Sequence, residues 1–486
     1  MADNSWKIEI KAPFNGYAPG YYANTYPSYG AKNQAGEMTD IDCTDPTKLT
    51  QGLGVANLTN GTEAGVVTTL IKHILDIPTS DGVTFGIGGA KLYKIGSAAV
   101  TSDANFPHTI DKGTVTGEDG ESVVSVGDYV YYLFNHSGSA GDIGRLTIST
   151  NTFDDDWGST VPTGSSALAN APHPCVLGND GVIYFGNGQY VGYYDPLTNT
   201  IDTQNLTLPS GTKVVDVKYF NSRVWIAANF PNTSGSNKSF GVVYVWNGVS
   251  AQWDDAPNPR IQGRLGAIYE DNGIIYIWYD DLSHPGGCKL GYLNGNSIKE
   301  LRAYSGSLPN FGQVGKYKGQ IAWLSGAKLM LFGNIDESIP AGLSSIATTT
   351  RANGGAFAVP FGTPLIASYA TSNFNLQKLS GYSVSAAWKT IMFDVGHSMI
   401  DKVRVFYETL SSGARCDFTL RYNRGASTLS LGDVRYANDS GQTYKVFTPN
   451  QELDDFRLEL SWASGSTSNP LSIRKIEIEG HATPKL

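Results

Sequence analysis

Residues 264–295 read RLGAIYEDNGIIYIWYDDLSHPGGCKLGYLNG. An apolar run at 264–269 leads to the turn pair Asn272-Gly273, a second run, IIYIW, follows at once, and a third, KLGYLNG from Lys289, ends in another Asn-Gly. Asn-Gly suits a two-residue hairpin because both residues accept the positive φ that such a turn needs. Three short β-branched and aromatic runs separated by turns predict an antiparallel strand unit, with room for a fourth strand around Ile298.

The same arrangement recurs on both sides. Asp81-Gly82 precedes VTFG, Gly127-Asp128 precedes YVYYLF, Asp180-Gly181 precedes VIYFG, Asn221-Ser222 precedes RVWIA and Lys318-Gly319 precedes QIAWL. Asn353-Gly354 before GAFAV reads as a seventh turn. Taken at the second turn residue, the positions are 82, 128, 181, 222, 273, 319 and 354, a spacing of about 45 residues, which is the period of propeller blades. A third strand follows in six units, at Lys91, Gly144, Val191, Val242, Lys289 and Lys328, and fourth strands are expected near Ile201, Trp253 and Ile298. The prediction is an all-β chain with a six- or seven-bladed β-propeller. Trp225, Trp278 and Trp323 fall in second strands and are expected as blade core.

The flanks differ in texture. Residues 1–65 are rich in Tyr, Pro, Gly and Asn and read as an extended N-terminal arm, whose Tyr17, Tyr21, Tyr22, Tyr26 and Tyr29 are candidate contacts between subunits. The propeller is assigned to 66–377, its opening GVVTTLIKHILDI being either a first strand or a short helix. From 378 to 486 longer alternating strands appear, such as Val403, Val405 and Tyr407, or Phe456, Leu458, Leu460 and Trp462, and predict a C-terminal, jelly-roll-like β-sandwich.

Composition narrows the function. The chain has 486 residues, a formal net charge of −9 and no dense Lys/Arg cluster, so nucleic acid is not an expected partner. No run of about 18 apolar residues suggests membrane insertion. Cys43, Cys175, Cys288 and Cys416 are far apart and read as reduced, buried thiols. The histidines show no His-Glu-x-x-His spacing, the Gly-rich stretches lack the Lys-Ser/Thr of a phosphate loop, and no cofactor or zinc site is expected; Ca²⁺ among turn acids stays open. The acids Asp154-Asp155-Asp156, Asp254-Asp255, Asp280-Asp281 and Asp454-Asp455 read as solvated loop groups, and no catalytic residue is assigned.

Two phrases carry a resemblance. Residues 38–75, MTDIDCTDPTKLTQGLGVANLTNGTEAGVVTTLIKHIL, followed by SDGVTFGIGGAKLYKIG, resemble the opening of propeller-bearing virion proteins of tailed bacteriophages. Phe393-Asp394-Val395-Gly396, then KVRVFY, and the closing FRLEL and IRKIEI resemble the end of the same group. The resemblance implies a non-enzymatic, tail-associated structural protein (hub, nozzle-like or fibre adaptor), made in the host cytoplasm and resident in the virion. Its implied partners are other virion proteins and further copies of itself in a ring. A receptor- or glycan-binding protein, with a host-surface glycan as ligand, and a glycan-degrading enzyme are the rival expectations.

Overall fold

The computed structural model describes residues 5–14, 35–58, 67–113, 117–137, 140–165, 167–230, 240–255, 258–281, 287–333, 342–383, 385–462 and 470–484. Seven antiparallel sheets form the blades of a β-propeller. Blade 1 comprises His73–Ile74, Thr84–Gly88, Lys91–Ile95 and His108–Thr109, and blade 2 Glu118–Val126, Tyr129–His136, Asp142–Thr147 and Thr152–Asp154. Blade 3 comprises Cys175–Leu177, Ile183–Asn187, Tyr190–Asp195 and Thr200–Thr207, with Thr163–Ser165 added in parallel at its outer edge. Blade 4 comprises Lys213–Phe220, Arg223–Phe230, Phe240–Trp246 and Arg260–Gln262, and blade 5 Leu265–Asp271, Ile274–Asp281, Gly287–Asn294 and Ser297–Ser305. Blade 6 comprises Val314–Tyr317, Gln320–Ser325, Lys328–Gly333 and Gly342–Thr348. Blade 7 takes Asn353–Ala358, Leu365–Ala370 and Asn373–Tyr382 from one stretch of chain and Leu53–Asn57 from the N-terminal region.

Six of the seven turn pairs connect first to second strands, with positive φ where the motif requires it: 50° and 83° at Asn272 and Gly273, 50° and 55° at Asn221 and Ser222. The seventh does not. Asn353-Gly354 begins the first strand of blade 7, and the turn lies at 359–364. The glycines there serve proximity: a Cβ on Gly354 would sit 2.8 Å from Leu324 Cδ1 and 2.9 Å from Gly326 O, and one on the following Gly355 2.5 Å from Leu70 Cδ1 and 2.6 Å from Ile71 O. Trp253 also falls outside the fourth strand of its blade, which is formed by Arg260–Gln262. The segment before Asp81 is neither a helix nor a full strand: residues 67–72 are irregular and only His73–Ile74 pair.

The continuous apolar runs follow from burial on both faces. In Tyr129–His136, Val130, Tyr132 and Phe134 pack toward blade 1, while Tyr131 and Leu133 pack toward blade 3. Each blade-to-blade seam is a separate apolar cluster, and the seam between blades 5 and 6, with Trp278 and Trp323 in edge contact at 5.5 Å, runs on into the core of the C-terminal domain. Trp225 differs from those two: it is half-buried, and its indole N–H donates to Phe220 O.

The C-terminal domain is a β-sandwich. One sheet orders Ala35–Thr39, Ala386–Thr390, Gln451–Trp462, Arg415–Tyr422 and Ser427–Arg435. The other orders Tyr444–Phe447, Phe393–Tyr407, Ser472–Ala482 and Ser5–Lys11. They join at one corner, where Phe393–Tyr407 pairs with Gln451–Trp462, so the sandwich is close to a barrel. Val403, Val405, Phe456 and Leu458 are fully buried between the sheets, as their alternation predicts.

The described parts of residues 1–65 therefore correct the expectation of a free arm. Ser5–Lys11 is an edge strand of the sandwich, Ala35–Thr39 another, and Leu53–Asn57 closes the propeller. The alternation in SWKIEIK is too short for a core of its own, but beside Ser472–Ala482 it buries Ile8 and Ile10. Tyr17, Tyr21, Tyr22, Tyr26 and Tyr29 lie outside the described residues. The third strand of blade 7 continues to Tyr382, past the boundary drawn at 377.

Two outcomes follow from these contacts. Gln377, fully buried in blade 7, donates to Asn57 Oδ1 (3.1 Å) and Thr350 Oγ1 (2.7 Å) and accepts from Ser368 Oγ (3.0 Å), tying the closing strand to the ring. Gln377→Ala leaves these groups unsatisfied and should cost about 1–3 kcal/mol, read as a lower urea midpoint. On the sandwich surface, hydrogen bonding from Lys475, opposed by burial and aided by Lys7 and Arg404, holds the Glu477 carboxyl down at about 2. Its folded pKa is depressed, so its stabilisation is present above the ordinary value of 4.5 and is lost as pH falls toward 2. Thermal unfolding should show a loss of Tm over that window that is smaller in Glu477→Gln.

Candidate functional site

The first strands of the blades surround the propeller axis, and on blades 1–4 they and the loops leading into them carry polar side chains. Lys72, immediately before the first strand of blade 1, reaches Asp119 (2.7 Å) and Glu121 (2.6 Å) on the first strand of blade 2. Asn135, one strand outward, donates its amide to Glu121 (3.1 Å) and to Ala171 O (2.9 Å) and accepts from Ala171 N (3.2 Å). His173, at the entry to blade 3, sets Nδ1 2.9 Å from Gly186 O and Nε2 3.0 Å from Asn135 Oδ1. Ser122 donates to the His173 carbonyl. One network thus runs across blades 1, 2 and 3.

A second tie lies on the other side of the axis. Asp216 of blade 4, fully buried, accepts from Val217 N (2.8 Å), from Lys218 Nζ (2.9 Å) and from Ile268 N of blade 5 (2.9 Å). His73 accepts from Val123 N at 3.1 Å and lies beside the Phe311 ring.

Burial decides the protonation of these groups. It drives His173 down to about 4, and it drives His73 down to about 3 with help from the positive charge of Lys218, so both rings are neutral at pH 7. Burial pushes the Cys175 thiol up to about 11, which leaves it un-ionised and unreactive. Burial alone would lower Lys72, but the Glu121 and Asp119 carboxylates outweigh it and keep the ammonium charged. The network holds a cation and two carboxylates in mutual contact and is built to join blades.

The acid groups singled out in the sequence do not converge. Asp155 is no solvated loop acid: Tyr132 OH and Asp111 N (2.9 Å) donate to it and His108 Nε2 lies 3.0 Å away. The short helix Trp157–Thr160 that follows buries Trp157 and draws the chain inward. Asp254 pairs with Arg223 (3.1 Å), Asp280 with Arg264 (2.6 Å), and Asp455 accepts from Arg424 N (2.7 Å), placing these acids on blade 4, blade 5 and the sandwich. Asp454 is exposed beside His397 at 3.4 Å. Among the described residues no group of three or more His, Cys, Asp or Glu side chains could hold a metal ion. All four cysteines are buried, and none forms a disulfide among the described residues. The axial residues Lys72, Asp119, Glu121, Asn135 and His173 were not singled out from the sequence; the available signal was charge placed inside or just before the otherwise apolar first strand of a unit.

No protein-family model matches the chain, and no curated protein matches it in sequence. Among solved structures it is similar to the extracellular domains of two putative hybrid two-component systems of B. thetaiotaomicron, at 10% and 12% identity and TM-scores of 0.45 and 0.46. These matches cover 82% and 83% of this chain but 47% and 49% of theirs, so the chain spans about half the length of those domains. It is also similar to the Neurospora crassa Pan2 WD40 domain, at 10% identity and a TM-score of 0.45, over 69% of this chain and 96% of that one.

Lys72→Met should destabilise the protein by about 3–5 kcal/mol, because Glu121 is left as an uncompensated charge at 9% side-chain exposure. The double variant Lys72→Met/Glu121→Leu should recover much of that loss. Urea unfolding of the two variants measures the difference.

Proposed function

We propose that this protein is a tail-associated structural component of a tailed-phage virion that works through protein–protein interfaces in a symmetric assembly. The observation that carries the reading is the path of the N-terminal region, which contributes edge strands to the sandwich and then the strand that closes the propeller. Both domains are thereby stitched by one thread. At the junction Asp40 accepts from Thr348 and Ser383 (2.9 Å), while Gln51 donates to Ser383 O (2.8 Å) and accepts from Leu471 N (3.2 Å). Such stitching suits a part that transmits force between neighbours. The axial polar groups engage one another, which agrees with a binding rather than a catalytic role.

Size-exclusion chromatography with light scattering, combined with negative-stain images over a concentration series, tests the assembly. Rings or concentration-dependent oligomers are expected, and antibody against the protein should label the tails of phage particles released by the producing culture. Monomers at every concentration together with unlabelled particles would overturn the reading.

A further inference from the structure

In each blade the turns between first and second strands and between third and fourth strands open on one face of the disc; the remaining connections open on the other. The large apolar side chains that stand exposed on the described propeller are distributed unequally between these faces. Leu197 (94% exposed) and Val249 (82%) follow third strands, and Ile77 (75%) lies between a first and a second strand. Tyr129, Leu177 and Ile274 border first-to-second turns, and Val161 accepts from Asn199 in a third-to-fourth turn. Among the described residues Phe240 alone stands on the opposite face. Single exposed apolar residues are ordinary on any surface, but a one-sided set spread over blades 1–5 is not.

On blades 1–3 acids dominate the same turns, while the Arg145 guanidinium lies over the Tyr129 ring at 4.7 Å. Asp76, Asp81, Asp103, Asp128 and Asp180 are exposed there, and among the described residues none of them is held in an ion pair. Cations on this side are engaged elsewhere: Arg223 with Asp254 (3.1 Å), Lys316 with Asp271 (2.5 Å), and Lys318 with Asp42 of the N-terminal region (3.1 Å). That last contact occupies the face at blade 6 and leaves the arc of blades 1–5 open.

We propose that this turn face is a docking surface for a separate protein that presents apolar side chains ringed by lysine and arginine. Charge complementarity selects that occupant. Two copies meeting face to face would set carboxylates against carboxylates. A copy stacked face to back would set Leu197, Val249 and Ile77 against the side that bears Lys213 and Arg260, where among the described residues Phe240 is the single exposed large apolar side chain. The proposal rests on the reading that the protein acts through its interfaces, but its test uses the isolated chain, and self-association that the triple variant leaves intact bears on that reading alone.

The probe is a short amphipathic Leu/Lys peptide, with Leu/Glu and Ser/Lys counterparts, titrated by fluorescence anisotropy and mapped by hydrogen exchange. The Leu/Lys peptide should bind most tightly and protect the turns near Ile77, Leu197 and Val249. The triple variant Ile77→Ser/Leu197→Ser/Val249→Ser should weaken binding about tenfold or more, Asp81→Lys should weaken it further at low salt than at high salt, and Phe240→Ser should leave it unchanged. Equal binding by the triple variant, or a Leu/Glu peptide that binds as tightly, would overturn the proposal. So would self-association of the wild type that the triple variant abolishes, because the occupant would then be a second copy.

Discussion

Closure of the ring is the constraint on which everything else depends. A blade cannot bury its two faces alone; it needs a neighbour on each side, and the last blade needs the first. Strands are consequently apolar without interruption where they pass between two seams, as in Tyr129–His136, whose alternate residues enter different clusters. The seventh blade meets the first through Ala356, Ala358 and Leu365 packed with Ile71, Ile74 and Tyr93, and its outer strand is supplied by Leu53–Asn57. Because that strand comes from far away in sequence, the ring cannot complete until the N-terminal region is in place.

Closure also explains why the axis is polar yet quiet. First strands converge there, and the backbone and side chains that face the axis cannot all be covered by apolar groups. Lys72, Glu121, Asn135 and His173 solve this across three blades, and Asp216 solves it between blades 4 and 5. Each partner desolvates the next, so the neutral state of His173 and the charged state of Lys72 are consequences of position. Groups engaged in this way hold blades in register.

The repeat was legible because tight turns demand particular residues: Asp-Gly, Asn-Gly and Asn-Ser pairs mark four of the seven first hairpins, Gly127-Asp128 and Lys318-Gly319 mark two more, and β-branched runs mark the strands beside them. What escaped was whatever depends on distant chain. SWKIEIK and LGVAN look like fragments because their partners, Ser472–Ala482 and Asn373–Tyr382, lie hundreds of residues away. Asn353-Gly354 imitates a turn because the glycines here serve close packing, Gly354 against Leu324 and Gly326 of blade 6 and the next residue, Gly355, against Leu70 and Ile71 across the ring closure. Asp155 imitates a loop acid because the Tyr132 hydroxyl and the His108 ring that engage it come from other strands. The axial network shares this property: its members are separated by tens of residues and meet only once blades are stacked.

The sandwich extends the logic of closure to a second domain. Its core is continuous with the seam between blades 5 and 6, and Asp40, held at a positive φ of 51°, directs the chain from the sandwich strand Ala35–Thr39 toward blade 7. Separating the domains would expose that shared apolar surface and strip Asp40 and Gln51 of their partners together, so the penalties add in the same direction. Two of the surfaces open to solvent are the turn face of blades 1–5 and the outer sheet of the sandwich. The first is apolar at its tips and acidic around them, while the second carries a lattice of Lys7, Arg404 and Lys475 with Glu9, Glu477 and Glu479 whose charges are matched among themselves. A surface whose charges are matched gains little from a partner, and one whose charges and apolar groups are unmatched gains most, which is the physical ground of the docking proposal for the propeller face.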